Sequence, residues 1–247
     1  MIIDSHTHVD EVPSLGWIDP PETLLTLMDE AGIAKSIIMT YTDLPGSNPD
    51  ALSYIAGIVA RHSDRLVGYA RLNPNYGEVA VRLLEDAIVR YGFKGLKLHP
   101  VSTLAHPADE GTIALIHKAA EYNAPTLFHC GDEPMTTPLT IAEVAEKCPE
   151  ATIILGHMGG YFHVDEAIEV AARLPNILLE TSAMPYPMMI KKAVDRVGAH
   201  RVLFASDGPG CAPSIEVEKV RLAGLTPDQE TRVFEDNIRR LLDAVSH

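Results

Sequence analysis

The sequence predicts an α/β fold, a (β/α)8 barrel of the TIM type, from three observations. Short apolar, β-rich runs alternate with amphipathic helical patterns from one end to the other, as βαβ units do. Eight such units share 247 residues, or roughly 31 residues each. Polar residues recur where the later runs end, at the rim where barrel enzymes keep their chemistry. A doubly wound open sheet also accommodates eight alternating units, but the G-x-G-x-x-G turn that often marks one does not follow the first strand.

The strands are expected at 1–9, 33–42, 66–73, 93–99, 125–131, 152–157, 177–181 and 202–206. Between the first two, Pro20 and Pro21 suit the first turn of a helix, Leu24, Leu27, Met28 and Ala31 form its apolar stripe, and Gly32 suits its C-cap. Leu83, Leu84, Ala87, Ile88 and Tyr91 repeat that pattern before Gly92. Further helices are expected near 50–61, 110–121, 138–147, 163–172, 187–197, 213–223 and 227–244. No linker or low-complexity stretch breaks the series, so residues 1–247 read as one domain.

Composition narrows the partners. The net charge is −14, without a lysine/arginine cluster, which argues against nucleic acid or an anionic membrane and for a small-molecule substrate. No apolar run approaches the roughly 18 residues that span a bilayer, and the first residues enter a strand pattern directly; a cytoplasmic protein is expected. Cys130, Cys148 and Cys211 are odd in number, widely spaced and lack C-x-x-C, so free thiols are expected, not disulfides or a cysteine zinc site. Apolar residues on the outer helices would allow a homodimer, although periodicity does not separate them from helix-to-barrel packing.

The chemistry begins at Asp4-Ser5-His6-Thr7-His8. Residues two apart on a strand share a face at a spacing of about 6.6 Å, so two imidazoles can converge on one ion. A lone H-x-H pair carries little weight, but His129 ends the run Pro125-Thr126-Leu127-Phe128, His157 ends Ile153-Ile154-Leu155-Gly156, and Asp207 ends Val202-Leu203-Phe204-Ala205-Ser206. Singly, such a histidine bonds a carbonyl and such an aspartate caps a helix. Together they make a nitrogen/oxygen ligand set suited to zinc or a similar divalent metal at the C-terminal mouth.

These residues, with Gly95-Leu96-Lys97-Leu98-His99-Pro100, Gly156-His157-Met158-Gly159-Gly160 and Ser206-Asp207-Gly208-Pro209, resemble the amidohydrolase superfamily, in particular its amidohydrolase-related branch of hydrolases and metal-dependent decarboxylases. The resemblance covers essentially the whole chain. It implies that His6, His8, His129 and Asp207 bind the metal and that His157 acts in catalysis, or binds a second ion in two-metal members. Lys97 matches the position of a bridging carboxylated lysine or glutamate in those members; the other reading is an ordinary lysine that binds a substrate carboxylate. His99 shares the face of Lys97 and is either a substrate contact or a rim hydrogen bonder. Arg71 could bind an anionic substrate through its fork, but a salt bridge to the acidic surface is the stronger expectation. His62, His106, His117, His163, His200 and His247 are expected mostly in solvent.

A metal-dependent hydrolase follows as the leading expectation. One or two divalent ions, zinc foremost, would lower the pKa of bound water toward about 7. Asp207 would take its proton and pass it to the leaving group, with His157 and Lys97 stabilising the oxyanion of an amide, ester or lactone. The alternative is a decarboxylase or hydro-lyase of a small unsaturated or aromatic carboxylic acid; the resemblance suggests that such enzymes are longer, with inserts around the substrate. A deoxyribonuclease of the TatD kind fits less well, because Lys97 stands where that family has a glutamate and the charge offers phosphate no attractive field. A barrel reduced to a binding module conflicts with the full ligand set.

Overall fold

The structure is a computed structural model in which residues 1–13, 16–41 and 49–246 are described. Thr42, at the end of the second expected strand, and His247 lie outside them. The barrel strands are β1 (Ile3–His8), β2 (Lys35–Met39), β3 in two pieces (Leu66–Gly68 and Ala70–Arg71), β4 (Leu96–Leu98), β5 (Thr126–Phe128), β6 (Ile153–Leu155), β7 (Ile177–Glu180) and β8 (Val202–Leu203). Each pairs in parallel with the next. Within β3 the pairing passes from one neighbour to the other, since Tyr69 N–H donates to Ile38 and Ala70 N–H to Gly95. The ring closes between the last strand and the first: Ser5 N–H donates to Phe204 O (3.1 Å), Asp207 N–H to His6 O (2.8 Å) and His8 N–H to Gly208 O (2.8 Å).

Helices link the strands, and their boundaries follow the turn chemistry. Proline opens the helices Pro21–Ala31, Pro138–Lys147, Pro187–Val197 and Pro213–Arg221, where the missing N–H costs no helical bond. Pro21–Ala31 and Glu78–Tyr91 end at Gly32 and Gly92, both left-handed. The last helical stretch, Pro227–Ala244, contains a π segment at Arg232–Asp236, and the Val233 carbonyl there accepts from Phe204 N–H at the end of β8.

Two apolar layers stabilise the ring. Between strands and helices lie residues such as Leu24, Met28, Leu84, Ile88, Leu115 and Ile141, all fully buried. Inside the barrel, Ile3, Ile37, Tyr69, Leu127, Ile154, Leu178 and Leu203 fill the lower part, with Ile238 and Leu241 from the last helix. Gly95 makes room for the Tyr69 ring: a Cβ there would come within 2.4 Å of it. Outside the sequence reading lie the short helix Pro100–Thr103 and an antiparallel ribbon of Asp10–Val12 with Trp17–Asp19. Its three-residue strands are too short to show a period. Among the described residues no helix is long and apolar enough to cross a membrane.

Candidate active site

The polar side chains gather at the C-terminal mouth. His6 and His8 lie on β1, where the register with β2 shifts between Asp4 and Thr7. Lys97 on β4 is the register partner of Arg71 on β3. His99, His129, His157 and Asp207 stand just past β4, β5, β6 and β8, and Glu180 ends β7. His157 and Asp207 adopt left-handed backbone conformations, with φ 59° and 58°. Such non-glycine residues cost of order 1–3 kcal/mol each. The strain is held by His157 N–H donating to Glu180 Oε1 (2.9 Å) and Asp207 N–H donating to His6 O.

Donor and acceptor roles define what this cluster can hold. His8 Nδ1 lies 3.1 Å from the Thr40 carbonyl, which only accepts, so Nδ1 carries the proton and Nε2 the lone pair. His6 Nδ1 donates to Glu180 Oε1 at 3.0 Å, which leaves its Nε2 lone pair free of a proton in the same way. The two Nε2 atoms are 3.1 Å apart, and Asp207 Oδ1 lies 3.1 Å from His8 Nε2 and 3.4 Å from that of His6. Burial holds both imidazoles below their ordinary pKa, so the neutral forms are favoured. Three acceptor atoms thus converge, and a cation among them would turn their repulsion into attraction. Nitrogen and oxygen donors of this kind fit a divalent metal. Lys97 Nζ, 2.9 Å from His6 Nε2, supplies a positive charge at the edge.

Glu180 organises the cluster, and the sequence reading passed over it. Its carboxylate is fully buried and accepts from His6 Nδ1, His157 N–H, Ser182 N–H (2.7 Å) and Ser182 Oγ–H (2.9 Å). A glutamate inside the run Ile177-Leu178-Leu179-Glu180 is the signal that could have found it, since a buried carboxylate requires partners. His157 Nδ1 in turn donates to Ser182 Oγ (2.9 Å), which fixes its tautomer and turns its Nε2 toward His129 Nδ1 at 3.1 Å.

Of the four ligands expected, His6, His8 and Asp207 converge, whereas His129 lies one ring further away and does not join them. Its Nδ1 meets His157, and its Nε2 is 3.4 Å from Glu133, a contact that brings the Glu133 carboxyl down to about 2. His157 stands beside His6, with ring centroids 5.3 Å apart. His99 stacks on His129 at 4.0 Å and its Nδ1 accepts from Ser102 N–H, capping the short helix Pro100–Thr103. His99 is thus a hydrogen bonder at the rim, and its ring lines the cleft.

The cluster opens into a cleft of about 200 Å3. Trp17, from the short ribbon, and Tyr41 line one side, their rings against each other with centroids 3.9 Å apart and planes inclined by 32°; neither was singled out in the sequence. Arg71 corrects an expectation. Instead of reaching the acidic surface it is only 8% exposed, lines the cleft, and donates to the Thr40 carbonyl (3.4 Å) and Ser102 Oγ (3.3 Å). Lys97 beside it is 1% exposed. His62, His106, His117, His163 and His200 are at least partly exposed, in line with the sequence reading.

Solved structures share this architecture over their full length. The chain aligns with a 2,6-dihydroxybenzoate decarboxylase from Rhizobium (TM-score 0.79, 16% identity, 98% of both chains covered). It aligns equally with a 5-carboxyvanillate decarboxylase from Sphingomonas paucimobilis (TM-score 0.77, 15% identity, 99% of both chains). A third is a dihydroxybenzoic acid decarboxylase from Polaromonas with bound manganese and the inhibitor 2-nitroresorcinol (TM-score 0.77, 18% identity, 98% of this chain and 96% of that one). At such identities the likeness establishes the fold, a TIM barrel. Comparison with curated proteins returns no match. The amidohydrolase family profile matches residues 3–244, nearly the whole sequence, and the chain belongs to that family.

Proposed function

We propose that this protein is a metal-dependent, non-oxidative decarboxylase of a small hydroxylated aromatic carboxylic acid. The observation that carries this reading is the pair of buried cations, Lys97 and Arg71, side by side in the cleft next to the metal-donor cluster. Both line the space that a substrate would enter. A carboxylate with an adjacent phenolic oxygen meets them; a neutral ester, amide or lactone does not. The aromatic side formed by Trp17 and Tyr41 and the ring of His99 suit an aromatic substrate, and a cleft of about 200 Å3 suits a single ring. The decarboxylases above act on aromatic acids by their names, which supports the same reading. The expected difference in length does not count against it, because those chains are covered almost completely.

In this proposal His6, His8 and Asp207 hold one divalent ion, with His157 or His129 as the nearest further imidazole. The ion would supply Lewis acidity toward a substrate oxygen. Arg71 and Lys97 bind and orient the carboxylate, Lys97 in this reading as an ammonium beside the ion and not as a carboxylated bridge. Trp17, Tyr41 and His99 exclude water. Asp207 takes the proton of the substrate's phenolic hydroxyl and passes it to the ring carbon that bears the carboxylate; a C–H bond forms, the C–C bond breaks with its electron pair returning to the ring and the phenolate oxygen, and carbon dioxide leaves. Both zinc and manganese suit nitrogen and oxygen donors, and manganese is the ion named in the Polaromonas structure.

Protein loaded separately with manganese and with zinc should release carbon dioxide from dihydroxybenzoates or 5-carboxyvanillate. Trp17, the one tryptophan of the chain, lines the cleft, so binding of each acid should also change its fluorescence. Hydrolysis of lactones or esters without any release of carbon dioxide would overturn the proposal and restore hydrolysis as the activity.

A further inference from the structure

On the N-terminal face of the barrel, away from the cleft, three side chains form a thiol–imidazole–carboxylate chain. His117 belongs to the helix Glu110–Glu121, Cys148 caps the helix Pro138–Lys147, and Glu150 lies in the turn before β6. Glu150 Oε1 is 2.6 Å from His117 Nδ1, so Nδ1–H donates to the carboxylate. This sets the tautomer: Nε2 carries the lone pair, and it faces Cys148 Sγ at 3.8 Å. Ligand atoms of all three residues lie within 4.8 Å of one another.

A chain of this kind serves a nucleophile or a soft metal ion, and the surroundings decide between them. A nucleophilic cysteine is exposed to its substrate and has a lowered pKa. Cys148 is fully buried, and burial pushes its thiol up. For a tetrahedral ion with bonds of about 2.3 Å to sulfur and about 2.0 Å to nitrogen, the two ligand atoms sit about 3.6 Å apart. The 3.8 Å between Cys148 Sγ and His117 Nε2 differs from that by a few tenths of an ångström. The cysteine is also pinned in place: its N–H donates to Val144 O (2.9 Å), and its carbonyl accepts from Ala151 N–H (3.0 Å) and Asn176 Nδ2 (3.2 Å). Half of the His117 side chain is exposed, so the ring edge of the site meets solvent.

We propose that Cys148 Sγ and His117 Nε2 bind a soft divalent ion of the zinc or cadmium class, with Glu150 orienting the imidazole and solvent completing the coordination. On binding, the Cys148 S–H bond breaks, a sulfur–metal bond forms, and the proton passes to solvent. The site joins the helices of two successive β/α units and is independent of the reaction in the cleft. Motif spacing does not reveal it, since Cys148 and His117 are 31 residues apart, one barrel unit.

Titration of the intact protein with cadmium(II), followed by sulfur-to-cadmium charge-transfer absorption in the ultraviolet, tests the assignment. The cluster around His6 holds only nitrogen and oxygen donors and is silent in this band. Wild type should show the band, with a final amplitude of one sulfur–cadmium bond per chain and release of about one proton from that site near neutral pH. Cys148→Ser should abolish it. His117→Ala, an exposed position that leaves the fold intact and Cys130 and Cys211 in place, should weaken binding by more than about tenfold, and Glu150→Gln by about 10- to 100-fold. Absence of the band in wild type, or its survival at unchanged affinity in Cys148→Ser or His117→Ala, would overturn the site.

Discussion

The lower and upper halves of the barrel interior are built by the same eight strands and solve opposite problems. Below, Ile3, Ile37, Leu127, Ile154, Leu178 and Leu203 meet without a directional requirement and stabilise the fold by burial. Above, His6, His8, Lys97, His157 and Glu180 are almost as enclosed and Asp207 partly so, yet each side chain there has a donor or acceptor sense. The lower half tolerates any side chain of similar volume; the upper half tolerates only one pattern of protons, and that pattern leaves lone pairs pointing at one another. What distinguishes the halves is therefore the kind of error each cannot absorb: a cavity below, an unmatched charge above.

The sharpest way to separate them is Asp207→Asn. Asparagine keeps the size and one oxygen but cannot accept and release a proton, so turnover at matched metal content should fall about 10²- to 10⁴-fold, or roughly 3–5 kcal/mol of transition-state stabilisation. Melting temperature, measured alongside, should move little. Turnover within a few-fold of wild type would shift the proton-transfer role to His157. The converse change, Leu127→Ala in the lower half, should cost about 2–5 kcal/mol in denaturant unfolding while metal content per folded chain stays constant. Loss of metal there would mean that the halves are not independent.

Smaller effects refine the upper half. Glu180→Gln removes the charge that orients His6 and His157, and metal affinity should fall about 10- to 100-fold by competition with a chelator. An unchanged affinity would show that the backbone alone positions those rings. Lys97→Ala should leave metal content intact and raise KM for an aromatic acid by about tenfold, the size of one charge-assisted hydrogen bond. Loss of one metal per chain, rescued by bicarbonate, would instead indicate a carboxylated lysine. Replacing His129 and His157 by alanine, one at a time, and counting metal identifies which imidazole completes the coordination.

Much of the upper half was legible in the sequence, because strand ends are easy to find when apolar runs stop at a polar residue: His129, His157 and Asp207 all stand there. Which of them touch was not legible. Strand phase does not say that β1 shifts register after Asp4, or that His157 and Asp207 enter left-handed conformations, and these local departures aim the side chains. Glu180 was hidden by its own neighbours, since a run of isoleucine and leucines reads as core. Trp17 was hidden because the ribbon that carries it is too short for a period to emerge. Arg71 was misjudged from overall charge: an acidic surface offers an arginine many partners, but β3 carries this one inward, into the cleft.

The closing seam of the ring has a consequence for folding in time. His8 and Asp207, 199 residues apart in the chain, touch only because the last strand lies against the first. During synthesis the amino-terminal half of this ion-binding cluster exists long before the other half leaves the ribosome, and contacts of such sequence separation form late and slowly. Ion capture is thus a clock for the end of folding. In refolding experiments the arrival of a tightly held metal should coincide with completion of the barrel, whereas helix content should appear earlier.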